Sequence, residues 1–107
     1  MSNRLLIIED NEQNLYMMRF LLEKNGFEII GALSGKEGIE KALDQKPQGI
    51  LLDIQLPEMD GYETARELKK YDELKTIPII AVTSYAMVGD REKILAAGAT
   101  GYIEKKS

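Results

Sequence analysis

Residues 49–53 read Gly49-Ile50-Leu51-Leu52-Asp53, an apolar run that ends in one carboxylate and is followed at once by the turn Leu56-Pro57-Glu58-Met59-Asp60-Gly61. A short apolar run bounded by turn residues is the pattern of a buried strand, so Asp53 is delivered to a strand's rim. Three further runs have the same form. Arg4-Leu5-Leu6-Ile7-Ile8-Glu9-Asp10 ends in acid, Pro78-Ile79-Ile80-Ala81-Val82-Thr83 in a hydroxyl, and Gly101-Tyr102-Ile103-Glu104-Lys105 in a cation. Four strands thus carry a polar group at the same end.

Segments of helical period separate these runs. Leu15, Met18 and Leu22 mark the buried face of a first helix that Gly26 can end in a left-handed cap, and Phe27–Ala32 reads as another strand. Ser34 with Glu37 forms a capping-box pattern, Ile39, Ala42 and Leu43 supply a buried stripe, and Pro47 closes that helix. Asp60 with Glu63 resembles a further helix start, with Ala65 and Leu68 facing inward. A fourth helix is predicted over roughly Val88–Ala97, stopped by Gly98. Alternation of strand and helix predicts an α/β fold with a parallel sheet. Right-handed crossovers put all strand C-termini on one edge, where ligands bind in open α/β sheets. The flavodoxin-like order 2-1-3-4-5, an established arrangement for doubly wound sheets, makes strands one and three neighbours and gathers Glu9, Asp10 and Asp53.

Composition narrows the chemistry. At 107 residues, 44% hydrophobic and 30% charged, the chain fits one globular domain over 1–107, with no apolar stretch long enough to span a bilayer. No signal-peptide pattern opens it, and a cytoplasmic location is expected. The sequence has neither His nor Cys, which removes the usual zinc ligands and the commonest general base. Carboxylates, hydroxyls and amines remain, and oxygen ligands favour Mg²⁺. A net charge of -4 argues against direct nucleic-acid binding.

Four stretches, Ile8-Glu9-Asp10-Asn11, Leu52 through Gly61, Ala81-Val82-Thr83-Ser84 and Gly98 through Lys105, resemble the receiver domain of bacterial two-component response regulators, in order and over nearly the whole chain. The resemblance implies that Asp53 accepts a phosphoryl group from a phosphohistidine on a sensor histidine kinase or a histidine phosphotransfer protein. It implies Mg²⁺ bound directly by Asp10 and Asp53, by Glu9 mainly through water, and by the Gln55 main-chain carbonyl. Thr83 and Lys105 complete the site. By the same resemblance, Thr83 and Tyr102 would act as the switch, altering the surface of helix four and strand five read by a downstream protein target. Gln55 and Tyr85 stand where phosphoryl loss is tuned.

Each residue has a plainer reading when taken alone. Glu9 and Asp10 resemble helix caps, Thr83 a loop hydroxyl and Lys105 a solvated charge. Met17, Met18, Met59 and Met87 read as core or loop filler, Tyr16, Tyr62 and Tyr71 as packing residues, and Arg66, Lys69 and Lys70 as a solvated helix face. Two features depart from the family pattern. Lys106 stands where a proline is usual after the lysine, so a trans bond is expected there, a non-proline cis bond costing about 3 to 4 kcal/mol. The family's fifth helix is missing, as if the chain were truncated; its loss is expected to bare an apolar face and to drive self-association. The alternatives are a phosphate-independent interaction module or inactive truncated receiver fragment, and a haloacid-dehalogenase-type phosphatase. The phosphatase class wants a second acid where Gln55 stands.

Overall fold

The computed structural model describes residues 3–56, 58–83 and 89–104. Five strands, β1 (Arg4–Ile8), β2 (Glu28–Ala32), β3 (Gly49–Asp53), β4 (Ile79–Thr83) and β5 (Gly101–Glu104), form one parallel sheet in the order β2-β1-β3-β4-β5. Helices α1 (Glu12–Lys24), α2 (Gly35–Gln45), α3 (Gly61–Lys70) and α4 (Asp90–Ala96) connect them. The expected strand order and four helices are therefore observed.

The apolar runs make the core. Leu6, Ile8, Ile50, Leu52, Ile79 and Ala81 are essentially withdrawn from solvent, covered on one face by α2, α3 and α4 through Ala42, Ala65, Leu68 and Ile94. Local signals fix where the helices begin. Asn11, Ser34 and Asp60 each accept the amide three residues ahead, satisfying a donor that the first turn leaves without a helical partner. Gly26 and Gly98 have φ of 91° and 115°, as the predicted helix stops require. Glu37 departs from a reciprocal capping box: its Oε1 accepts from the Leu33 amide over 2.7 Å instead of that of Ser34. At the outer edge of β2, Arg19 donates to Ile29 O and Lys41 to Gly31 O, occupying carbonyls that a further strand would use.

Two groups of residues sit differently from the expectation. Tyr16 and Met17 do not pack: with Phe20 and Leu21 they are more than half exposed on α1. That helix is apolar on two sides, and only the side carrying Leu15, Met18 and Leu22 turns toward the sheet and becomes partly buried. Lys69 is not a solvated charge. Its ammonium donates to Lys75 O and Ile77 O, tying down the turn after α3 while its stem lies against Gly98, and burial pulls its pKa below the usual lysine value. Among the described residues, no helix is long and apolar enough to cross a membrane.

Candidate acidic site at the carboxyl rim of the sheet

The last paired positions of β1 and β3 are Ile8 and Leu52, so Glu9 and Asp53 emerge side by side where those strands end. The ladder continues slightly beyond them: the Glu9 amide donates to Ala32 O over 2.9 Å and the Ile54 amide to Val82 O over 3.1 Å. Backbone pairing thus holds both acids in place. Glu9 is 2% exposed and Asp53 7%, while Asp10 faces solvent. One carboxylate oxygen from each of the three lies within 4.8 Å of the others. Such crowding repels unless a cation or protons intervene.

Local hydrogen bonds aim the acids. The Asn11 amide donates to Glu9 Oε2 over 3.3 Å, and the Gln55 amide to Asp53 Oδ1 over 3.0 Å. Asn11 also caps α1, through the Asn14 amide at 3.0 Å, which sets the positive end of that helix beside Asp10. An Asn directly before a helical period is the ordinary sequence signal for this cap.

Across β3, Asp53 pairs with Val82, so Thr83 follows one residue further along the same rim; it is 1% exposed. Opposite Thr83 stands Glu104 of β5, and Tyr102, two residues earlier, is partly buried against the core. The Gln55 side chain is exposed. Lys105, Tyr85, Met87 and the bond before Lys106 lie outside the described residues. The structure therefore brings Glu9, Asp10, Asp53 and Thr83 to one rim. A cleft of about 530 Å³ between α1, β2 and α2, lined in part by Glu12, Arg19, Glu37 and Lys41, includes none of these acids. The acidic site is instead open at the sheet's edge, with the Asp10 side chain in solvent.

The donor set suits a hard divalent cation: three carboxylates gathered at one rim, in a sequence with no histidine or cysteine.

Comparison with known proteins agrees with this geometry. Residues 5–107 match the response regulator receiver domain family. The chain is 46% identical over 105 residues to the polar-differentiation response regulators DivK of Brucella anthropi and Brucella ovis, covering 98% of itself and 85% of each relative. Among solved structures, Vibrio cholerae chemotaxis protein CheY4 superposes with a TM-score of 0.94 at 25% identity, over 100% of this chain and 89% of that one. The receiver domain of sensor histidine kinase PA1611 from Pseudomonas aeruginosa gives 0.90 at 33% identity, over 100% and 88%, and carries a magnesium ion coordinated in its active site cleft. The match sets aside the phosphatase reading, because receivers are phosphoacceptors and not enzymes that turn over a metabolite. The chain belongs to the response regulator receiver domains, the phosphoacceptor modules of two-component signalling, whose donors are histidine kinases.

Proposed function

We propose that Asp53 is the phosphoacceptor and that residues 1–107 work as one receiver unit. The convergence of the Glu9, Asp10 and Asp53 carboxylates within 4.8 Å at the sheet's rim carries this reading. Asp53 is the acid at the centre of the sheet, flanked by β1 with its two acids and by β4 with Thr83. Mg²⁺ fits the donor set: Asp10 and Asp53 would hold it directly, Glu9 through water, and Gln55 through its main-chain carbonyl. When bound, the ion neutralises the clustered carboxylates and the incoming phosphoryl oxygens. The magnesium in the PA1611 receiver supports that assignment.

In the transfer, an Asp53 carboxylate oxygen attacks the phosphorus of a partner's phosphohistidine. A P–O bond forms, the P–N bond breaks, and the imidazole keeps the electron pair. A carboxylate nucleophile has no proton to give up as it attacks, so the transfer needs no general base and the lack of histidine in the chain is no obstacle. The partner is a sensor histidine kinase or a histidine phosphotransfer protein, and the setting is the cytoplasm. Lys105 pairs with a phosphoryl oxygen. The Thr83 hydroxyl turns toward the new group, and Tyr102 follows inward, changing the α4/β5 surface offered to a downstream protein target. Such a switch requires the acyl phosphate to favour one of two states that differ by a few kcal/mol.

The chain also associates with itself. The support is an apolar groove of about 240 Å³ lined by Met18, Leu21, Leu22, Leu51, Val82 and Ile103, beside the exposed Tyr16, Met17 and Phe20.

Beryllofluoride with Mg²⁺, followed by amide chemical shifts, tests the central assignment. A saturable response at Thr83 and Tyr102 that Asp53→Asn abolishes is expected. A response indifferent to that substitution sinks it.

A further inference from the structure

We infer that Gly61 is a positioning residue for Asp53: the bare Cα at 61 lets the first turn of α3 press against the backbone that carries the acceptor, and a side chain there would drive the carboxylate out of register with Glu9 and Asp10. The inference rests on the reading of Asp53 as acceptor.

A Cβ built on Gly61 would stand 2.4 Å from Ile54 Cα, 2.7 Å from Asp53 O and 3.0 Å from Ile54 O. All three are main-chain atoms of the acceptor segment, and none can swing aside. Gly38 and Gly35 are equally tight, but there a Cβ would first meet the tip of the Ile8 side chain or the Thr64 hydroxyl. At Gly61 the backbone itself must open by about 1 Å to reach ordinary contact.

Both sides of the contact are anchored. The Gly61 amide donates to Ile54 O over 2.8 Å, a carbonyl that also accepts from the Leu56 amide at 3.2 Å, so Gly61 is tied to the acceptor segment. On the helix side, Asp60 caps the Glu63 amide, the fully buried Thr64 donates to Asp60 O over 2.8 Å, and Ala65 and Leu68 are sealed in the core. On the strand side, the Ile54 amide holds Val82 O and the Gln55 amide holds Asp53 Oδ1. With α3 fixed by core packing, much of the displacement falls on the Asp53–Gln55 segment that aims the carboxylate. A misplacement of about 1 Å at a reacting group can cost on the order of 100-fold in rate.

The test compares the parent, Gly61→Ala and Gly26→Ala. Gly26 has φ 91° and open space around it, at the opposite end of the strands, so its alanine variant strains the backbone without touching the site. Each protein is checked for a cooperative thermal transition, titrated calorimetrically with Mg²⁺ alone, and phosphorylated with acetyl phosphate at several donor concentrations. Results are scaled to the folded fraction; should Gly61→Ala be unfolded in buffer, all three are compared in trimethylamine N-oxide, which favours the compact state. The inference expects Gly61→Ala to bind Mg²⁺ more weakly and to lose about 10- to 100-fold in saturating phosphorylation rate, with Gly26→Ala matching the parent on both. It is overturned if folded Gly61→Ala matches the parent, or if Gly26→Ala falls equally. A parent that takes up no phosphoryl group overturns the acceptor reading itself, and this inference with it.

Discussion

The main-chain amide of Gln55 donates to Asp53 Oδ1 over 3.0 Å, folding the carboxylate back onto the loop that follows it. An interaction two residues long therefore orients the central acid, while the neighbouring strands supply its company. Glu9 is held in the same manner from the Asn11 amide. The rim is built twice over by the same device: a buried strand ends in an acid, and the next turn's amide catches it. Preorganised charge of this kind is what phosphoryl transfer asks of a protein.

Crowding three carboxylates should make the metal-free fold pay for its site. Asp53→Asn keeps the shape and removes one charge, so unfolding in chelator at neutral pH is expected to need about 1 kcal/mol more than in the parent, the scale of the repulsion between two unit charges about 4 Å apart in a water-like medium. Mg²⁺ should raise the parent's midpoint by linkage and leave that of Asp53→Asn nearly unmoved. Denaturant titrations with and without Mg²⁺ measure both. A loss of stability on substitution would contradict the description of the site as strained by like charge.

Glu37 gives a pH dependence that has nothing to do with the acidic rim. The hydrogen bond from the Leu33 amide, helped by Lys41 against the opposing effect of burial, holds its carboxyl below the ordinary 4.5. The unfolded chain then takes up this proton first as pH falls. The stabilisation is complete above about 4.5 and is lost as pH drops through the lower folded value. Glu37→Gln should lose about 0.5–1 kcal/mol at neutral pH, kept small because the side chain is 42% exposed, and should show no such decline in that window. Denaturant midpoints on either side of pH 4.5 decide it.

The exposed face of α1 predicts concentration-dependent mass. Sedimentation at micromolar concentration should give a species heavier than the 12.1 kDa monomer, and Phe20→Glu should return it to monomer by placing a charge in the apolar patch. Because Phe20 is more than half exposed, its replacement should change stability by no more than about 0.5 kcal/mol. A parent that sediments as a monomer throughout would end this reading.

Much of the architecture was legible in the chain because buried parallel strands are written as continuous apolar runs. Gly49–Asp53 and Gly101–Glu104 coincide with the strands read from sequence, and Ser34 and Asp60 begin their helices as caps should. The gathering of Glu9, Asp10 and Asp53 followed from strand ends once the order was granted. What escaped was whatever depends on the third dimension. Periodicity picks out Leu15, Met18 and Leu22 as the side of α1 that meets the sheet, but it does not show that a second apolar side, carrying Tyr16 and Met17, stays exposed. Lys69, a charge beside Arg66 and Lys70, reads as solvated, yet its long stem lets the ammonium reach Lys75 O and Ile77 O. The closeness of Gly61 to the Asp53 carbonyl is likewise invisible until α3 is docked.

Locating the phosphoryl group itself tests the central claim most directly. The protein is treated with acetyl phosphate and Mg²⁺, then with borohydride, which reduces an aspartyl phosphate to homoserine, and peptide mass spectrometry reads the altered position. The account predicts conversion at position 53 alone, absent when Mg²⁺ is chelated. Conversion at Glu9, Asp10 or elsewhere, or none in a folded protein with Mg²⁺ present, would contradict it.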